Sequence, residues 1–105
     1  MISYIKAKLT GRSPKWGKVR KTFLNAFPQC LACGSKKRVI AHHIKPFHEF
    51  PELELDFNNL ISLCKVHHWD VGHGALNWKA WNEKVIEDAA YFRLMRDRTR
   101  LTLKA

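Results

Sequence analysis

Acidic residues are missing from the first 48 positions of this 105-residue chain, the first being Glu49. Lys6, Lys8, Arg12, Lys15, Lys18, Arg20, Lys21, Lys36, Lys37, Arg38 and Lys45 all precede it, and the whole chain carries a net charge of +10. Such one-signed density attracts polyanions through counterion release and speeds their encounter. Generic solubility or contact with anionic lipid would use the same charge, but no amphipathic membrane helix stands out, which favours nucleic acid. Cysteine is also scarce. Three residues cannot all pair internally, so a disulfide framework is excluded. No apolar run is long enough for a membrane span, and "ISYIKAKLTGRSPK" after Met1 is too broken for a signal peptide. These absences point to a reduced, intracellular, cytoplasmic protein with no membrane partner. Repeats and low-complexity linkers are lacking too. The expectation is one domain over 1–105, small enough that it buries only about two-thirds of its unfolded surface and needs a staple.

"SPKWGKVRKTFLNAF" predicts a helix with Ser13 as N-cap and Pro14 at the first helical position. Trp16, Val19, Phe23 and Phe27 recur at helical spacing and form its buried face, with Lys15, Lys18 and Lys21 opposite. Pro28 stops it. A tight cysteine turn leads into a strand through "VIAHHI", and "NLISLC" reads as a second strand. "KVHHWDV" predicts a short helix that "GHG" ends. Last comes a helix over "NEKVIEDAAYFRLMRDR", capped by Asn82, with Val85, Ala89, Phe92 and Met95 facing inward. In the tail from Arg98, "TRLTL" alternates like a strand or frays. The fold class is thus α+β: a basic helical region over 1–29, a core over 30–75, and a helix with tail over 76–105.

Cys30 and Cys33 have the C-x2-C spacing that lets two thiolates grip one ion around a turn, with Gly34 relaxing the backbone. Cys64 and His67 repeat it as C-x2-H about thirty residues later. Three sulfurs and one imidazole suit a closed tetrahedral structural Zn²⁺, whose binding would supply the missing folding free energy. The bland alternative makes the cysteines small core residues. With His67 in the staple, His68 points about 100° away around its helix. In an extended strand His42 and His43 face opposite sides, so the pair serves two jobs.

"IAHHI", then "NNLISLC", then "CKVHH" resembles the HNH endonuclease superfamily, whose ββα-metal (His-Me) finger wraps a two-stranded hairpin and a helix around a metal. The paired histidines resemble the colicin-type metal-finger nucleases, and the cysteine pairs resemble the zinc-stapled phage and bacterial branch. The resemblance implies His43 as general base and His42 as first metal ligand. It implies Asn59, rather than Asn58, as the middle residue that orients the base and shapes its loop, and His68 as the final ligand of the same ion. Colicin-type sites often carry a further histidine four residues after the last. Here Gly72 stands there and His73 follows, which completes the coordination if the helix ends at "GHG", or contacts phosphate, or yields the place to water.

The activity so implied is metal-dependent hydrolysis of DNA phosphodiesters to 5′-phosphate and 3′-hydroxyl ends. A single finger nicks, and double-strand breaks need a dimer or two events. Weak sequence specificity is expected, with phosphate contacts from Lys15, Lys18, Lys21, Lys36, Lys37, Arg38 and Lys45, and from Arg93, Arg96, Arg98 and Arg100. The catalytic ion would be Mg²⁺ or Mn²⁺, and histidine ligation also suits Co²⁺, Ni²⁺ or Zn²⁺. The phage-type resemblance suggests a phage-infected bacterium as setting and a genome-packaging terminase as partner of a monomer. Two other readings stay open: a non-catalytic zinc module that binds nucleic acid, and an RNase using the same site. His48 reads as a loop histidine, Glu54 and Asp56 as solvated charges or partners of a histidine's second nitrogen, and Trp69, Trp78 and Trp81 as core.

Overall fold

The computed structural model describes residues 12–75 and 80–104, so Lys6, Lys8 and Trp78 lie outside the described residues. Helix α1 spans Trp16–Ala26. It starts two residues later than the Ser13–Pro14 signal predicts: Ser13 Oγ accepts the Lys15 N–H at 3.1 Å, and the Ser13 carbonyl accepts the Trp16 N–H at 3.1 Å. The capping chemistry is thus spent on a turn that leads into the helix. Phe23 is buried, and Trp16 and Val19 are half-buried as their spacing predicts. Phe27 is not, being 54% exposed beside the Phe23 ring.

Strands β1 (Val39–His43) and β2 (Leu60–Cys64) form one antiparallel pair. The register sets Val39 opposite Cys64, His42 opposite Ile61 and His43 opposite Leu60. Every residue of β2 is buried, consistent with "LISLC" being packed on both faces. One end of the pair therefore carries Cys64 and the other the two histidines. Single 3-10 turns at Pro51–Leu53 and Phe57–Asn59 shape the loop between the strands.

After Cys64 the chain makes a short α turn, α2 (Lys65–His67), and then winds as a π-helix over His68–Gly72. This run folds back from the cysteine end of the sheet toward the histidine end, so neighbouring residues His67 and His68 serve opposite ends. Helix α3 spans Val85–Lys104. Val85 and Ala89 are fully buried in a core with Cys30, Ala32, Ile61, Leu63, Cys64 and Val71. Phe92 and Met95, expected inward, are 50% and 36% exposed. The tail expected as strand or frayed end is helical to Lys104, since a helix already nucleated extends at low cost while a strand there would need a partner. Among the described residues no helix is long and apolar enough to cross a membrane.

Candidate active site

Cys30, Cys33, Cys64 and His67 converge so that one ligand atom from each lies within 4.8 Å of the others. The turn carrying the first two is tied by Gly34 N–H to the Cys30 carbonyl at 2.7 Å, with Gly34 in the left-handed region at φ 77°. Cys33 Sγ lies 3.9 Å from Cys64 Sγ, and His67 Nδ1 lies 3.2 Å from Cys64 Sγ and 3.9 Å from Cys30 Sγ. Arms of ~2.3 Å at tetrahedral angles would set sulfurs about 3.8 Å apart, so the donor set fits one zinc-sized ion. The cysteines are all free thiols. Burial raises the Cys30 pKa, but backbone hydrogen bonds from Cys64, Cys33 and Ala32 outweigh it and hold the group below the usual thiol range. Burial pushes Cys33 up. A bound cation would favour both thiolates.

A second cluster sits at the other end of the sheet. His42, His68 and His73 bring one ring nitrogen each within 4.8 Å of one another. Ring centroids are 4.9 Å apart for His42 and His68, 5.1 Å for His42 and His73, and 4.6 Å for His68 and His73. His73 Nδ1–H donates to the carbonyl of Ala80 at 2.7 Å, which leaves its Nε2 as the nitrogen on the side of His68. That Nε2 lies 3.0 Å from His68 Nε2, the spacing of two ligands at right angles on one ion with ~2.1 Å bonds. His42 Nε2 is fully buried with no hydrogen-bond partner among the described residues. An orphaned buried nitrogen is costly unless something binds it, and the residues fit a divalent cation. Burial first, then the neighbouring imidazoles, lower the pKa of His42 to about 3, and burial, then His73, that of His68 to about 4. Both stay neutral, the form in which imidazole binds metal.

The π winding makes this possible. His73 N–H bonds the His68 carbonyl at 3.1 Å, an i→i+5 closure. A residue five positions on thereby returns to the face that a residue four positions on would occupy in an α-helix. Gly72, the residue displaced from that place, packs against His42: a Cβ there would stand 3.0 Å from His42 Cε1.

His43 faces the other way along β1. Its Nε2 lies 2.9 Å from the main-chain carbonyl of Glu54, to which the Nε2–H donates. Its ring lies 4.5 Å from that of Trp16, tilted by 35°. Burial lowers its pKa, partly offset by the Glu54 hydrogen bond. Asn59 is buried, and among the described residues its side chain is hydrogen-bonded to the loop rather than to the imidazole. Its Oδ1 accepts the Lys45 N–H at 2.9 Å, and its Nδ2 donates to the carbonyls of Lys45 at 3.0 Å and Leu53 at 3.3 Å, clamping both ends of the loop that holds Glu54. Asn58 is exposed, and its main-chain N–H donates to the Asp56 carboxylate.

His42, His43, His68 and His73 all line one cleft of about 370 Å³, walled also by Arg12, Trp16, Arg20, Phe47, His48 and Trp81. Sequence reasoning did not single out Arg12, Arg20 or Trp16 for this wall. Helical periodicity marks Trp16 as core, and arginines in a uniformly basic stretch carry no individual signal. Lys15, just before α1, and Lys18 and Lys21 on it are exposed and do not line the cleft. Lys36, Lys37 and Arg38 precede the cysteine end of β1, whose first residue, Val39, is ~13 Å along the strand from His43. Lys45 lies over the Phe50 ring in a neighbouring crevice. Glu54 uses its carbonyl rather than its carboxylate on a histidine, and Asp56 caps a turn instead.

Residues 30–73 match the family model described as HNH endonuclease. The matched segment runs from Cys30 to His73, the third histidine of the donor cluster. The HNH segment thus contains both donor clusters, His43 and Asn59, within a two-stranded sheet and helical turn of α+β type. The match points to a nuclease-type function, with the nucleic-acid binding and metal use general to HNH domains. No curated protein and no solved structure matches the chain.

Proposed function

We propose that this protein is a zinc-stapled, metal-dependent DNA endonuclease that nicks one strand per event with weak sequence specificity. The observation that carries the reading is the buried, unpartnered Nε2 of His42 gathered with His68 and His73 on the cleft that His43 also lines. His42, His68 and His73 would hold the catalytic ion, and Cys30, Cys33, Cys64 and His67 a structural zinc. A divalent ion in the histidine site would neutralise charge developing on the scissile phosphate and its leaving 3′ oxygen.

The chain's own residues supply the rest. With Nε2–H given to the Glu54 carbonyl, His43 offers Nδ1 as the nitrogen that takes a proton. Burial keeps that imidazole neutral near pH 7, so it can accept the proton of a water whose oxygen bonds to phosphorus as the P–O3′ bond breaks. The leaving oxygen picks up a proton from solvent, giving 5′-phosphate and 3′-hydroxyl ends. Arg12 and Arg20 on the cleft wall would meet the substrate's phosphates, contacts that carry little sequence information. Lys15, Lys18, Lys21, Lys36, Lys37 and Arg38 would act farther out along the duplex.

Supercoiled plasmid with Mg²⁺, Mn²⁺ or chelator is the direct test. Metal-dependent conversion to open circles is expected, with His43→Ala at least ~100-fold slower while zinc content and DNA affinity are retained. A non-catalytic zinc module would bind the plasmid and leave it intact, and structured RNA in parallel identifies an RNase.

A further inference from the structure

Glu54 is 4% exposed, and a buried carboxylate is costly unless its oxygens are well partnered. Its partners come from 41 residues away in sequence: the Ser13 N–H donates to Oε1 at 3.0 Å and to Oε2 at 3.3 Å. Arg12 Nη1 adds an ion pair with Oε2 at 3.6 Å. The main-chain carbonyl of the same residue accepts from His43 Nε2 at 2.9 Å. One residue therefore grips the chain leading into α1 with its side chain and the imidazole of His43 with its backbone.

The residues on either side of Ser13 give that link a purpose. Trp16 opens α1 three residues later and lays its ring over His43 at 4.5 Å. Arg12 is stacked on the Phe47 ring at 4.3 Å and lines the cleft. The hydrogen bond at Nε2 and the indole on its face together restrict rotation of the His43 ring, which is what decides where Nδ1 points. Asn59 steadies the same device from behind by holding the Leu53 carbonyl.

We propose that Glu54 is a positioning residue for the cleavage reaction: its carboxylate clasps the start of α1 so that Trp16 and the Glu54 carbonyl together aim His43. The proposal rests on the nuclease reading above, and it assigns Glu54 no contact with substrate. A mere staple for α1 would support stability alone. An aiming device acts on turnover through His43.

The test compares Glu54→Met, similar in reach but without an acceptor, with Glu54→Gln, whose amide oxygen still accepts the Ser13 N–H. Steady-state nicking should give a kcat about 10- to 100-fold lower for Glu54→Met with KM within about threefold, and Glu54→Gln should recover most of it. In a His43→Ala background the Glu54→Met change should alter the residual rate by less than about twofold, since groups acting as one unit are not additive. Long-range ¹H–¹⁵N spectra should record a single Nε2–H tautomer of His43 in the wild type and a mixture in Glu54→Met. If Glu54→Met loses zinc or unfolds, Glu54→Asp, which shortens the reach by one methylene, takes its place with the same expectations.

A fully active Glu54→Met protein, or a loss that persists undiminished without His43, overturns the positioning role while leaving the nuclease reading intact. A wild type that does not nick, or a His43→Ala variant that nicks as well, overturns both.

Discussion

His42 and His43 are consecutive, yet the pleat of β1 turns one imidazole to His68 and His73 and the other to Trp16 and the Glu54 carbonyl. Their surroundings then assign unlike chemistry to identical side chains. His42 is buried at the cleft with an unpartnered Nε2 and suits a cation, while His43, on the same cleft, has its Nε2 held by the Glu54 carbonyl. Gly72 matters here for space. Its missing Cβ would sit 3.0 Å from the buried His42 ring, which has little room to retreat. Gly72→Ala should therefore weaken Mn²⁺ or Ni²⁺ binding by ~10-fold or more and destabilise the fold by about 1–3 kcal/mol, measurable by calorimetry and urea unfolding. Zinc taken up by the cysteine cluster should remain at one per chain. Protonation gives a second prediction at this scale. His42 and His68 have folded pKa values lowered from 6.5 to about 3 and about 4, so below pH 6.5 the unfolded chain binds more protons than the folded one. Stability is present above pH 6.5 and is lost as pH falls toward 4. With the histidine site free of metal, the melting temperature should drop by ~5 °C or more between pH 6.5 and 4.5, and an unchanged melting curve would contradict the burial of these rings.

At the scale of elements, the π turn is the feature on which the cleft depends. Winding wider than an α-helix disturbs the regular backbone pairing, and Asn82 repairs part of it from beyond the turn. Its N–H donates to the Gly72 carbonyl at 3.2 Å and its Nδ2 to the Val71 carbonyl at 3.2 Å. The same side chain accepts the Lys84 N–H at 3.0 Å at the start of α3 and donates to Asp88 at 2.8 Å. Asn82 is legible in the sequence as a cap for the following helix, whereas its grip on the preceding turn is not. Asn82→Ala should cost about 1–3 kcal/mol, and the loss should extend to metal binding by the histidine cluster. A variant that is less stable but binds the ion unchanged would confine Asn82 to capping α3. Helix α3 also shows why short alternation misleads. "TRLTL" continues a helix begun at Val85, supported by an Arg93–Asp97 pair at 3.5 Å and by Thr99 Oγ1 donating to the Met95 carbonyl at 2.9 Å.

For the whole molecule, two donor clusters stand at opposite ends of a five-residue strand pair, and metal bound there would stand in for a larger core. The cysteine cluster ties the first turn to the end of β2 and to α3, where the His67 ring lies 6.0 Å from that of Phe92. Chelation or Cys30→Ala should therefore unfold the chain, seen as loss of the cooperative melt together with one zinc per chain. A metal-free protein that melts as before would refute this. With a charge of +10, binding of duplex DNA should be steeply salt-dependent. Arg12→Ala and Arg20→Ala should each lower the log–log salt slope by about one and weaken all duplexes alike.

The sequence by itself determined the donor types, the order in which they occur and the two-strand frame that carries them. Cysteine knuckles, adjacent histidines on a strand and apolar strand runs are local signals that need no partner to be read. Only the tertiary structure decided that His73 joins His42 and His68, that Arg12, Arg20 and Trp16 wall the cleft, and that Glu54 serves through its carbonyl. The reason is physical. A π turn differs from an α turn by one residue of winding, and its stability here comes from Asn82 and from the fit of Gly72 against His42, contacts between segments that meet only once the chain has folded.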